Sequence, residues 1–271
     1  MSPHPSDADS AASVRLVRNA TLLVSLGGTR LLVDPMLGAA GVDPPVQNTP
    51  NERRNPLVDR PDVDLAHDAV LVTHRHNDHF DDAARERLDA DVPLVVHPEQ
   101  ADDFREEGFT DVRPLDGDVR VDGLTLTPTP ARHGHGDLAA AMAPVTGALV
   151  RVSGDGRDGA EGDAAGDDRG DGPTLYLAGD TVWYEGVADT LASAAPDAVV
   201  LNAGAARFVD GEPITMDAAD VRRTRDAAPA DATVAAVHME AINHCLLTRA
   251  ELREAVDGVA VPDDGEALRL D

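Results

Sequence analysis

The sequence predicts an α/β fold, sheets layered with helices, carrying a metal site at its strand ends. Three observations predict it. Short apolar runs rich in β-branched residues alternate with helix-forming segments from Ala69 to Val256. Several of these runs end abruptly in histidine or aspartate, and layered α/β folds place their chemistry at strand ends. The densest such end, His74-Arg75-His76-Asn77-Asp78-His79, gathers three of the chain's 10 histidines. Imidazole and carboxylate are the side chains that hold zinc and its divalent neighbours. His74 and His76, two apart on an extended backbone, point the same way and can share one ion. Asp78 and His79 follow the turn, face elsewhere and suit a second ion.

Taken in order, residues 1–13 are mostly Ser, Pro, Asp and Ala and are expected to be disordered. One domain is expected over 14–271. Val14–Asn19 and Thr21–Leu26 read as strands, Gly27-Gly28 as a tight turn, and Arg30 as the head of a third strand through Leu31-Leu32-Val33. Asp34-Pro35 ends that strand, because proline cannot donate to a ladder. Residues 36–61 are rich in Pro, Gly and Asn without periodicity. A loop this long is expected to be functional, here a substrate cap with Arg53, Arg54 and Asn55 as candidate contacts, the bland alternative being that the arginines are simply solvated.

Ala69–Thr73 is the strand that delivers the histidine cluster. A helix over about Asp82–Leu88 follows, with Asp81 or Asp82 as its N-cap. Next come a strand at Val92–His97, a helix at Glu99–Glu107 and a strand at Val112–Leu115. Val119–Val121 and Leu124–Thr129 form a hairpin through Asp122-Gly123, a type I′ signal, and run into His133 and His135. Val145–Val152 pairs with Thr174–Ala178. Between them the Gly- and Asp-rich stretch at about 154–172 has little to bury and is expected to be a mobile hairpin tip. It is no calcium loop, since Arg157 takes a ligand position and no glutamate closes the frame.

Thr174–Ala178 hands Asp180 to a loop. Helices at Glu185–Ala194, Asp217–Ala227 and Thr248–Val256 alternate with strands at Ala198–Asn202 and Thr233–Val237, the last core strand, which ends in His238. Asp217 caps its helix, and Thr248 with Glu251 forms a capping box.

The charge balance narrows the partners. Lysine is absent, and 23 basic against 50 acidic residues leave a formal charge of -27. Such a surface repels nucleic-acid phosphates and anionic membranes. Acid spread along the whole chain suits a halophilic protein, in which dense counterions screen the self-repulsion. One cysteine, Cys245, excludes an intrachain disulfide and fits a reducing compartment. Residues 1–12, without a basic or an apolar region, are not expected to act as a signal peptide, and no run reaches the ~18 apolar residues of a membrane helix. A cytoplasmic protein acting on a small molecule, free to form a homo-oligomer, is expected.

Four strand ends thus offer ligands: His74, His76, Asp78 and His79; His133 or His135; Asp180; and His238 or His244. Position favours His133, first after the strand ending near Pro130, and His238, directly after Val237. His244 lies past the strand and suits ligand orientation or substrate contact. The set resembles the metallo-β-lactamase superfamily. The carrying motifs are His-x-His-x-Asp-His at His74–His79, the later His133, Gly-Asp-Thr at Gly179–Thr181, and the C-terminal His238. The front hairpin ending in Leu-Val-Asp-Pro is similar to the ascorbate-6-phosphate lactonase-like branch.

The resemblance implies an α+β fold, a four-layer αββα sandwich with a dinuclear site at one edge. It makes His74, His76 and His133 ligands of a first ion and Asp78, His79 and His238 ligands of a second, with Asp180 bridging them. Histidine at position 76 resembles the hydrolytic members rather than the di-iron ones, so two zinc ions, or manganese in their place, are implied.

The expected reaction is hydrolysis of a small ester, lactone or phosphoester by a hydroxide held between the two ions. Asp180 would fix their spacing, Asp78 would orient the nucleophile and protonate the leaving group, and His244 would touch substrate. No Gly-x-Ser-x-Gly elbow is present and, without lysine, no Walker loop can be built. A nuclease or phosphodiesterase is the alternative enzyme, opposed by the negative charge. A non-catalytic regulatory metal-binding module is the alternative of another class, opposed by a complete ligand set. Cys245 beside His244 reads as a buried structural cysteine rather than a nucleophile.

Overall fold

Strand alternation sorts the apolar side chains of the strands between three cores, and these three define the layers; a fourth cluster, around Met36, Ile214 and Ile242, lies under the loops. The structure, a computed structural model, describes residues 12–154 and 172–270. The stretches expected to be a disordered start and a mobile tip therefore lie almost wholly outside the described residues, although Ser13 belongs to the first strand.

The first half of the chain holds β1 (Ser13–Arg18), β2 (Thr21–Leu26), β3 (Thr29–Val33), β4 (Ala69–Val72), α1 (Asp82–Arg87), β5 (Leu94–Val96), α2 (Ala101–Glu106), β6 (Val112–Pro114), β7 (Val119–Val121), β8 (Leu124–Pro130) and α3 (Gly136–Ala141). The second holds β9 (Thr146–Val152), β10 (Leu175–Leu177), α4 (Glu185–Ala194), β11 (Ala198–Asn202), α5 (Ala218–Ala227), β12 (Thr233–Val237), α6 (Arg249–Ala255) and β13 (Ala267–Arg269). One sheet has the order β13-β1-β2-β3-β4-β5-β6, the other β12-β11-β10-β9-β8-β7.

β4 illustrates the sorting. Ala69 and Leu71 enter the core between the sheets, while Val70 and Val72 pack outward with Phe80, Ala84 and Phe104 against α1 and α2. In β11, likewise, Ala198 and Val200 face the other sheet, and Val199 and Leu201 face Val187, Val221 and Leu252 of α4, α5 and α6. The result is helices, sheet, sheet, helices, the expected αββα sandwich.

Most expected elements are present within two residues of their bounds, and Asp81, Asp217 and Thr248 cap their helices as expected. Three differ. The helix expected at Glu99–Glu107 is a 3₁₀ turn at Pro98–Gln100 followed by α2. α3 and β13 were not expected: α3 buries no residue, and β13 is an edge strand whose pairing with β1 alone defines it. β12 remains the last core strand, and β13 follows it at the edge of the other sheet.

Strand direction positions the site. β3, β4, β5 and β6 are parallel, as are β10, β11 and β12. β8 is antiparallel to β9, which is antiparallel to β10, so β8 and β10 run the same way. The C-terminal ends of β3, β4, β8, β10, β11 and β12 thus meet at one edge of the sandwich. The long loop after β3 is tied down there: the buried Arg18 guanidinium donates to Met36 O at 2.7 Å, Gly38 O at 3.0 Å and Val58 O at 2.9 Å.

Candidate metal centre

Each converging strand end contributes one part of the cluster. β4 runs into His74, His76, Asp78 and His79, where the His79 and Phe80 amides both donate to His76 O at 2.9 Å and close a tight turn. β8 delivers His133, and the Gly179-Asp180 turn after β10 delivers Asp180. β12 delivers His238, whose φ of 65° lies in the left-handed region and whose amide donates to Asn19 O at 2.9 Å. A non-glycine residue persists there only where its surroundings fix it, and such strain gathers at functional sites.

The ligand atoms form three overlapping groups, each with all its atoms within 4.8 Å: His74, His76 and His133; His74, His79 and Asp180; Asp78, His79 and His238. Asp180 stands between the outer two. Its Oδ2 lies 3.8 Å from His74 Nε2 and 3.4 Å from both His79 Nε2 and His133 Nε2, while its Oδ1 lies 3.6 Å from His238 Nε2. Asp78 Oδ2 lies 3.2 Å from His238 Nε2 and 3.7 Å from His79 Nε2.

The far nitrogen of most of these rings is taken by the protein. His79 Nδ1 donates to Asp34 Oδ2 at 2.8 Å and His133 Nδ1 to Ile214 O at 2.9 Å. His238 Nδ1 stands 3.4 Å from Cys245 Sγ, and His74 Nδ1 3.2 Å from Thr73 Oγ1. Asn202 Nδ2 donates to Asp180 Oδ1 at 2.7 Å. These contacts turn the other nitrogen of each ring into the cluster, which is how metal-ligating histidines are oriented.

The arrangement fits divalent cations. Ring nitrogens face one another rather than donors facing acceptors: His74 Nε2 is 2.8 Å from His76 Nδ1, and His79 Nε2 is 3.1 Å from His238 Nε2. Ligands about 2.1 Å from a tetrahedral ion stand about 3.4 Å apart, a spacing that the cluster distances bracket. The electrostatics agree. Burial alone would raise Asp180 and Asp78, yet the surrounding imidazoles, His238 and His79 foremost, hold both well below the usual carboxylate range. Burial lowers His79, but Asp180, Asp34 and Asp78 outweigh it and push it up to about 10. His238 is likewise raised by Asp180, Cys245 and Asp78 against its burial. One buried and one half-buried carboxylate that hold protons on buried imidazoles form a site that calls for positive charge.

The cluster forms the floor of a 550 Å³ cavity walled by Met36, Pro44, Val46, Met142, Phe208, Ile214 and Ile242. The loop over 36–61 supplies part of this wall, with Asn55 lining the cavity. Arg53 and Arg54 are corrections: both are exposed outside it, and Arg54 donates to Gly41 O and Val42 O of its own loop. His135 is exposed at the start of α3, and His244 lines the cavity outside the three ligand groups. Cys245 is buried, which pushes its thiol up, away from a nucleophile. Sequence reasoning gave no role to Asp34, Asn202 or Asn243. The one local signal among them was Asp34 at the end of β3, a strand end like the others.

A sandwich of this kind with a His and Asp cluster at one edge defines a superfamily. Residues 29–239 match the family described as Beta-lactamase superfamily domain, and the chain belongs to it. The UPF0173 protein YddR of Bacillus subtilis (strain 168) is 32% identical over 268 residues, covering 94% of this chain and 98% of YddR. The crystal structure of a possible metal-dependent hydrolase from Veillonella parvula DSM 2008 has a TM-score of 0.84 at 28% identity, covering 96% of this chain and 100% of that one. An isothiocyanate hydrolase from Delia radicum gut bacteria has a TM-score of 0.82 at 35% identity, covering 94% and 98%. Among the described residues, no helix is long and apolar enough to cross a membrane.

Proposed function

We propose that this chain is a metal-dependent hydrolase of a small, uncharged, mostly apolar electrophile of the isothiocyanate class. The observation that carries the reading is the cavity lining, in which methionine, proline, phenylalanine and isoleucine surround the His and Asp cluster without a single arginine among the described residues. An anionic group reaching beyond the metal cluster would meet Asp43 and Asp82 there and find no cationic side chain to pair with. That argues against a phosphorylated lactone and against a polynucleotide. The isothiocyanate hydrolase at 35% identity supports the same class.

Two zinc or manganese ions, held by His74, His76 and His133 on one side and Asp78, His79 and His238 on the other with Asp180 between, would supply water activated near neutral pH and polarise the substrate. The protein does the rest. The apolar wall holds the organic group and excludes bulk water. Asp78 Oδ2, on the more open side of the cluster, takes a proton from the attacking water and passes it on. Water adds to the central carbon, the C=N π pair moves to nitrogen, and nitrogen takes one proton. Cleavage of the C–N bond with a second proton to nitrogen then releases amine and carbonyl sulfide, accounting for every atom of isothiocyanate and water.

Zinc-reconstituted protein should release amine from phenethyl isothiocyanate, and chelator-treated protein should not. A phosphodiester turned over faster than isothiocyanates, uncharged lactones and esters would overturn the substrate class.

A further inference from the structure

Among the histidines beside the cluster, His244 has no assigned partner. His74, His79, His133 and His238 each engage their far nitrogen with the protein, whereas His244 Nδ1 is buried without a hydrogen-bond partner among the described residues. Its ring is 7% exposed and lines the cavity together with His76, Asp78, His133 and Asp180. The residue is not loose. His244 O accepts from Arg207 N at 3.1 Å, Cys245 N donates to Ile242 O at 3.1 Å, and the ring stacks on Phe208 with centroids 6.5 Å apart. The preceding Asn243 is fixed by its side chain to Val46, Thr49, Asn51 and Asn55.

A buried polar atom with no partner in the protein finds one in a ligand or a water. Here rigid backbone and a stacking partner hold an imidazole with one unpaired nitrogen in the wall of the space where substrate must sit.

We propose that the His244 imidazole is a catalytic residue that contacts the substrate and hydrogen-bonds the heteroatom leaving the electrophilic carbon. For an isothiocyanate that atom is the nitrogen that keeps the electron pair of the broken C–N bond; the inference rests on the hydrolase reading above. Burial pushes His244 down to about 4, so the ring is neutral at pH 7, with one nitrogen donating and the other accepting. A neutral ring can therefore hand a proton of water to the leaving atom without desolvating a charge.

The test pairs H244L with H244N, whose amide matches the Nδ1 position. Metal per chain by elemental analysis should equal wild type in both. With phenethyl isothiocyanate, H244L should lose about a hundredfold in kcat with little change in KM, and H244N should recover at least tenfold of that. Independently of turnover, titrating the zinc protein with phenethylthiourea, an uncharged analogue, should shift the His244 imidazole nitrogen resonances.

Wild-type kcat in H244L refutes the contact, as does loss of metal in H244L, which would make the residue a support of the cluster. Analogue binding without a His244 shift, or no analogue binding, overturns it as well. If His244 shifts with the thiourea but no isothiocyanate is hydrolysed, the contact stands and the substrate class falls.

Discussion

Asp34 Oδ2 accepts a hydrogen bond from His79 Nδ1 at 2.8 Å, and the same carboxylate accepts from Thr73 N at 2.7 Å and Thr73 Oγ1 at 2.8 Å. One buried side chain at the end of β3 thus holds both the end of β4 and a ring of the cluster. Asp34→Ala frees the His79 ring to rotate and leaves the Thr73 amide unpaired. Metal affinity measured by chelator competition should fall by about 10- to 100-fold, the usual effect of removing such an outer partner. Unchanged affinity would show that packing alone fixes His79.

Gly204 follows β11 where the chain passes under the loop after β12. A Cβ there would lie 2.2 Å from His238 O and 2.9 Å from Cys245 Cβ and Sγ. Gly204→Ala must therefore displace the backbone of His238. We expect a stability loss of about 1 to 3 kcal/mol by urea denaturation, in line with overpacked cores, together with weaker binding of one of the two metal equivalents. A folded variant with full metal content and wild-type stability would contradict this.

What the sequence disclosed and what it hid divide along sequence distance. The His74 to His79 segment is one strand end and its turn, so periodicity and residue type sufficed. His133, Asp180 and His238 are each announced by the apolar run before them. Their supports are remote. His79 needs Asp34, 45 residues away, His133 needs the Ile214 carbonyl at 81, and Asp180 needs Asn202 at 22. No local pattern encodes a pairing that only the stacking of two sheets creates. Arg53 and Arg54 failed for a related reason: a loop without periodicity does not reveal which of its side chains face inward. β13 was invisible because its three residues carry only one half-buried side chain.

Asn243 joins the cavity loop to the chain after β12. Its Oδ1 accepts from Val46 N at 3.0 Å and Asn55 Nδ2 at 2.9 Å, and its Nδ2 donates to Thr49 Oγ1 at 2.7 Å and Asn51 O at 2.9 Å. Asn243→Ala orphans the buried Asn55 side chain and several half-buried groups at once, at a cost of about 1 to 3 kcal/mol for the buried one and less for each of the others. The loop should loosen while the cluster stays intact. Steady-state kinetics should show KM up by about tenfold with metal content unchanged, and an unaltered KM would mean the loop does not define the substrate wall.

The formal charge of -27 on a chain without lysine motivates a salt prediction. Screening shortens from about 10 Å at 0.1 M to about 3 Å at 1 M salt, which relieves repulsion among surface carboxylates. The melting temperature by circular dichroism should climb steadily from dilute buffer into molar potassium chloride. A flat or falling melting temperature would remove the case for adaptation to high salt.

The last prediction concerns protons at the cluster. In metal-free protein His79 is pushed up to about 10 and His238 well above its ordinary value. Raised values give stability that is complete below the unfolded value near 6.5 and is lost as pH climbs through the folded values. Asp78 and Asp180 are depressed, so their contribution is present above an unfolded value of about 4 and is lost as pH falls through the folded values. Metal-free protein should therefore melt at its highest temperature between about pH 4 and 6.5 and weaken toward pH 10. Cations take the place of imidazole protons at the cluster, so loaded protein should keep its stability across that alkaline range. His74 and His76, which burial holds below their ordinary value, are already neutral and give up nothing. Binding at pH 7.5 should then release at least one proton, the one on His79, read by calorimetry in buffers of different ionisation enthalpy. Metal binding that releases no protons at that pH would show that the carboxylates do not hold these rings charged.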